Sequence, residues 1–132
     1  MRIRVAIQAV IVAAVSSTLS AHHTLTATYD TVNVVPLTGV ISRVDLVNPH
    51  VTVTLESKGP DGRVTTWVVE MAPPGGLERR SFDLHLLEVG RQVVIESWLR
   101  EDGTQGQANG RTLVLPDGRR FDVSDNWDRF MI

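Results

Sequence analysis

From residue 34 onward the chain is cut into short β-branched runs by turn-forming residues, and that punctuation constrains the fold more than any other feature. A helix needs roughly ten or more residues of 3.6-fold apolar spacing, whereas runs of roughly four to eight bounded by Gly, Pro, Asn and Asp read as strands. Residues 34–45 form the first run, with Gly39 marking a bend or bulge in it. Asn48-Pro49 ends that run. In residues 50–56, Val51, Val53 and Leu55 alternate with His50, Thr52, Thr54 and Glu56, the pattern of a half-buried strand. Gly59-Pro60-Asp61-Gly62 is a hairpin turn. It leads into a third strand over residues 64–71, where Val64, Thr66, Val68 and Glu70 oppose Thr65, Trp67, Val69 and Met71.

Ala72-Pro73-Pro74-Gly75-Gly76 stops the third strand, and a short helix is predicted over residues 77–80, since Leu, Glu and Arg are good helix formers. Phe82, Leu84, Leu86 and Leu87 are candidate core anchors around a connection. Residues 92–100 form a fourth strand, residues 102–110 a mobile polar loop with three glycines, and residues 111–115 a fifth strand. Pro116-Asp117-Gly118 turns the chain into an extended tail carrying Phe121 and Val123. Three strands, a short helix and two strands give an all-β class with the order of a five-stranded, OB-like Greek-key barrel. A β-sandwich is the alternative. The barrel domain spans residues 34–123, between an extended segment at 22–33 and a tail at 124–132.

The first 21 residues have the three parts of a secretory signal peptide. Arg2 and Arg4 are its basic start, and residues 5–15 are apolar but for Gln8. Residues 16–21 are the small, polar cleavage region, with Ala21 before the cut and Ser20 as the alternative site. The apolar run is too short to span a bilayer comfortably, and no later segment does better. The expected location is periplasmic or secreted, with no transmembrane segment in the mature chain.

Removing residues 1–21 of 132 leaves 111, enough for one domain. The thirteen basic residues lose Arg2 and Arg4 while all fifteen acidic ones remain, so the charge moves from −2 to −4. That balance argues against nucleic acid as a partner. There is no cysteine, so disulfides, thiolate metal sites and a lipid-anchor thiol are all excluded. An envelope protein or a small ligand is the kind of partner that remains.

The pieces that stand out beyond this are, in order, Ala21-His22-His23, Leu37-Thr38-Gly39-Val40, Asn48-Pro49-His50 and Trp67-Val68-Val69-Glu70-Met71. Pro74, Leu77 and Arg79 follow, then Ala108-Asn109 and Leu115-Pro116-Asp117-Gly118-Arg119. In this set the chain resembles the domain of unknown function family 6152, small exported bacterial proteins. It departs in two places, with Thr24-Leu25 where Ser-Phe is usual and Phe82 where a Trp is common. The resemblance implies export and a small β-rich domain, and implies no activity.

The chain has four histidines, His22, His23, His50 and His85. Cleavage after Ala21 gives His22 a free α-amine beside its own ring Nδ1. Two such nitrogens can chelate one ion, and a remote imidazole completes a planar set that suits Cu(II). An α-amine, with a pKa near ~8, gives up its proton to a metal more readily than a lysine does. His50 is the expected remote imidazole, stiffened by Pro49, and His23 is the alternative. His85, among leucines, reads as a partly buried structural residue. The bland reading sits beside this one: two histidines at a flexible start, and a His50 that caps a turn or pairs with a carboxylate.

Glu70 shares its strand face with Val64 and Val68, which suggests a carboxylate near buried surface needing a partner, with Arg79 or Arg80 able to supply one. A structural ion pair is the plainer outcome; a carboxylate supporting or ligating a metal is the functional one. Trp67 and Trp98 belong to strands, and Trp127 to the tail. No phosphate loop, nucleophile elbow or catalytic triad is legible. The sequence therefore points to a binding protein, with copper as the candidate metal and a metal-free module recognising a peptide, glycan or protein partner as the alternative. A copper-dependent oxidative enzyme is a more distant third.

Overall fold

The computed structural model describes residues 28–125. The segment 1–21 read as a leader, His22, His23 and Trp127 lie outside that span. Six strands run in the order β1 (Tyr29–Leu46), β2 (Val51–Lys58), β3 (Val64–Glu70), β4 (Gln92–Arg100), β5 (Gln107–Val114) and β6 (Arg120–Asp122). A short helix, α1 (Pro74–Arg79), and a single 3-10 turn (Leu84–Leu86) connect β3 to β4.

One long strand organises the ring. The first half of β1 pairs antiparallel with β4, from Val34 against Trp98 to Val40 against Gln92. Its second half pairs with β2, from Val40 against Glu56 to Leu46 against Val51. At the crossover β2 comes so near that a Cβ on Gly39 would lie 2.6 Å from the Glu56 carbonyl oxygen. Gly39 is therefore the place where two backbones meet, and the actual register shift falls beyond it, between Ile41 and Arg43.

β2 and β3 form the hairpin expected from residues 59–62, where Gly62 takes φ +81° and its N–H donates to the Gly59 carbonyl at 3.0 Å. β3 then lies parallel to β5 over three residue pairs, Val68–Gln107, Val69–Ala108 and Glu70–Asn109. That seam closes the ring β1-β2-β3-β5-β4 and back to β1, with β6 added outside β5. The all-β class is as expected, and one continuous ladder rather than two stacked sheets sets the sandwich aside. The seam is too short for a regular barrel.

Side-chain alternation fills the ring. Val51, Val53 and Leu55 of β2 are fully buried, as their spacing requires. In β3 Trp67 and Val69 face inward, continued by Met71 just past the strand, while Val64 and Val68 stand exposed. The premise that Glu70 shares a buried face is thus corrected. Helix α1 begins three residues earlier than its propensities suggest, because Pro74 at the first helical position has no N–H to leave unpaired. It buries Leu77 under the ring. Phe82 and Leu87 are core residues as expected, and Phe82 meets Phe121 edge-on, with ring centroids 5.3 Å apart.

The largest difference from expectation is at residues 107–110. They belong to β5, not to a loop: Ala108 and Asn109 are buried and paired on both sides, with β3 and with β4. Tertiary pairing overrode the glycine-rich, polar local sequence. Among the described residues no helix is long and apolar enough to cross a membrane.

Candidate functional site

The seam that closes the ring also makes a cavity. It has a volume of about 380 Å³ and is lined by Thr28, Tyr29, His50, Glu70, Arg100, Asn109 and Asp125. Each wall is positioned by strand register. Glu70 and Asn109 are partners across the β3–β5 seam, and Tyr29 and Arg100 are partners at the ends of β1 and β4. His50 precedes β2, behind a cis Asn48–Pro49 peptide bond. Asp125 arrives from the segment after β6.

That last segment is fastened from below. The Arg80 guanidinium, just past α1, donates to the Ser124 carbonyl at 2.8 Å and lies 3.7 Å from the Asp122 carboxylate. The Ser124 hydroxyl and N–H both donate to Asp122 Oδ1, at 2.8 and 2.9 Å. Asp125 Oδ2 is thereby held 3.3 Å from His50 Nδ1, which also lies 3.3 Å from the Met71 carbonyl oxygen. Both neighbours of Nδ1 are acceptors. A ring that donates from Nδ1 keeps its lone pair on Nε2.

The electrostatics follow from burial. Burial holds the Asp125 carboxyl above the usual carboxylate range; the nearby Glu70 charge pushes the same way, and His50 and Arg80 oppose it. Burial likewise raises the Tyr29 phenol, helped by Glu70 and opposed by Arg100. The Tyr29 hydroxyl donates to Glu70 Oε2 at 3.4 Å. Arg100 is itself committed to Asp102, with Nη2 2.9 Å from Oδ2. Two buried polar atoms, Asn109 Oδ1 on this wall and Trp98 Nε1 beside it in the sheet, have no partner among the described residues. Their residues are paired directly across β4 and β5.

The sequence candidates sort unevenly. His50 and Glu70 are brought to one cavity, with Tyr29 at Glu70 where an arginine was expected. Arg80 anchors the C-terminal run, and Arg79 is exposed at the end of α1. His22 and His23 lie outside the described residues. His85 is not partly buried: its side chain is 98% exposed and its Nδ1 is 3.0 Å from Asp83 in the 3-10 turn. It borders a larger apolar groove of about 820 Å³ with Leu46, Leu84 and Arg91, remote in character from the seam cavity. Sequence reasoning missed Tyr29, Arg100 and Asp125 as site residues, and placed Asn109 in a loop. Only Asn109 carried a signal, through the Ala108-Asn109 piece of the family pattern.

Among the described residues no three His, Cys, Asp or Glu side chains are grouped so as to hold a metal ion. The fold and the cavity define a small all-β domain with a polar, acceptor-rich recess at its ring seam. The profile of a family of unknown function (DUF6152) matches residues 9–110, and the chain belongs to that family. No curated protein and no solved structure matches the chain. Three of the pieces that carried the resemblance, those containing His50, Glu70 and Asn109, meet at the cavity.

Proposed function

We propose that this chain is an exported binding protein that takes up Cu(II) through His22, exposed as the first residue by cleavage after Ala21, and His50, with His23 as the alternative third donor. The observation that carries the reading is the setting of His50. Its Nδ1 faces a backbone carbonyl and a carboxylate. Metal-bound histidines are oriented in this way, with the other nitrogen turned to the ion.

Two further points support it. Thr28 lines the same cavity as His50. His22 stands six positions before it, a span of up to ~20 Å in extended chain, so the chain has the length to bring His22 to His50. The described residues supply one imidazole and two carboxylates to the recess, so a nitrogen-rich Cu(II) site there draws its other donors from the amine and ring of His22. Glu70 then stands as a carboxylate beside the metal. Copper carriage or buffering is the role this arrangement suits.

The test is Cu(II) titration followed by electron paramagnetic resonance on protein processed through export. The control is the same protein with one extra residue before His22. Tight binding with nitrogen hyperfine structure, weakened at least tenfold in the control, is expected. Equal binding in both samples, or none in either, contradicts the reading.

A further inference from the structure

The seam cavity is much larger than a bare ion needs, and its chemistry is lopsided. Glu70 and Asp125 both face it. Of the groups on its wall that could offset these carboxylates, the Arg100 guanidinium is already engaged by Asp102 and the His50 ring faces Asp125. Glu70 has a phenol hydroxyl as its hydrogen-bond donor.

An independent observation comes from the inner wall. Asn109 is 2% exposed, lines the cavity, and its Oδ1 has no donor among the described residues. A buried amide oxygen without a partner is costly, so such atoms mark places where a ligand or water supplies the missing donor. Three acceptors around one recess ask for a ligand rich in N–H donors and positively charged. Their spread around the recess suits a polyatomic cation, whose donors point in several directions.

We propose that the seam cavity binds an organic cation, a primary ammonium or guanidinium group, held by Glu70, Asp125 and Asn109. The volume of about 380 Å³ falls within the range of small-molecule sites and leaves room for an apolar tail beside Tyr29. This ligand chemistry has two sources: a free amine, or the α-ammonium that cleavage creates at the head of this same chain. The proposal stands independently of copper, since it needs neither the metal nor His50 as a donor.

The experiment uses the processed protein in chelator-treated buffer, with n-butylammonium as the probe and n-butanol and butyrate as neutral and anionic isosteres. Binding is read from the backbone and side-chain amide resonances of Asn109. A second sample carries an acetylated N-terminus. Saturable shifts at Asn109 with butylammonium alone, weakened at least tenfold in Glu70→Gln with its thermal melt unchanged, are expected. Equal affinity in the two N-terminal forms assigns the site to a free amine. Tighter binding after acetylation assigns it to the chain's own α-ammonium. Asp125→Asn, whose side chain is 36% exposed, serves as a second variant with the same expected loss. No shift in either form, or shifts with butyrate or butanol equal to those with butylammonium, overturns the proposal. The copper titration is run on the same processed sample, so loss of one result leaves the other readable.

Discussion

Gly39→Ala is the sharpest test of how the ring is assembled. The added methyl carbon would sit 2.6 Å from the Glu56 carbonyl oxygen and 3.0 Å from its carbon. Ordinary carbon–oxygen contact begins near ~3.3 Å, so β2 must retreat by roughly 0.7 Å or β1 must twist away. The obstacle is backbone in a paired strand, directly opposite Val40, and has no rotamer with which to escape. Overpacking of this kind costs about 1–3 kcal/mol. Against it stands a gain of about 0.4–1 kcal/mol from the stiffer unfolded chain. The net loss is about 0.5–2 kcal/mol, or several degrees in Tm for a domain of this size. Gly75→Ala is the matched control. Its nearest obstacle is the mobile end of the Arg79 side chain at 3.4 Å, and it lies in α1, where alanine is favoured by up to ~1 kcal/mol. Urea denaturation of the two variants should therefore give midpoints displaced in opposite directions. A Gly39→Ala protein as stable as the parent would show that the two strands do not approach as described.

Other expectations follow from the same structure. Met71→Ala removes a fully buried side chain from the core cluster and should cost about 2–5 kcal/mol in chemical denaturation. His85→Ala should change stability by less than about 0.5 kcal/mol and leave copper affinity unaltered, because its ring is almost wholly exposed. Asp30, Asp83, Asp102 and Asp117 are held below their ordinary values, chiefly by hydrogen bonds from Asn33, His85, Arg100 and Arg119 respectively. A depressed native value contributes stability above the unfolded value near ~3.9 that is lost as the pH falls through the native one. Melting temperatures should therefore drop below about pH 4. Asp125, raised in the folded state, acts with opposite sign: it subtracts stability as the pH climbs from ~3.9 through its native value. Asp125→Asn should remove that opposing component and make the acid-side loss steeper, which a pH series of thermal melts reads directly.

Local patterning carried most of the fold. Period-two alternation in β2 named Val51, Val53 and Leu55 as core residues without reference to anything distant. The Gly59-Pro60-Asp61-Gly62 turn fixed one hairpin by its own backbone preferences. Where the reading failed, the deciding force was non-local. Residues 107–110 look like a loop because glycine and asparagine have poor strand propensity, yet β3 and β4 hold them from both sides. Glu70 looks as if it faces the interior beside two valines, but those valines are on the outward face, and Glu70 is half-buried because the start of β1 brings Tyr29 over it. The cavity was legible only as scattered parts. His50 and Glu70 were visible as chemical groups, whereas Asp125 reaches His50 through Arg80 and a turn at Asp122, a geometry that sequence spacing does not encode. His85 shows the converse: leucine neighbours suggested burial, and a 3-10 turn capped by Asp83 presents the ring to solvent instead.

Ligand binding at the ring seam, at His50, has a direct test. Cu(II) is paramagnetic and broadens nearby amide resonances, so sub-stoichiometric copper added to the processed, isotope-labelled protein maps its own site. Broadening centred on His50, Glu70, Asn109 and Asp125, with the amides of Asp83 and His85 left sharp, is the result expected. Broadening centred on Asp83 and His85 instead, or spread evenly over the surface, would contradict the account.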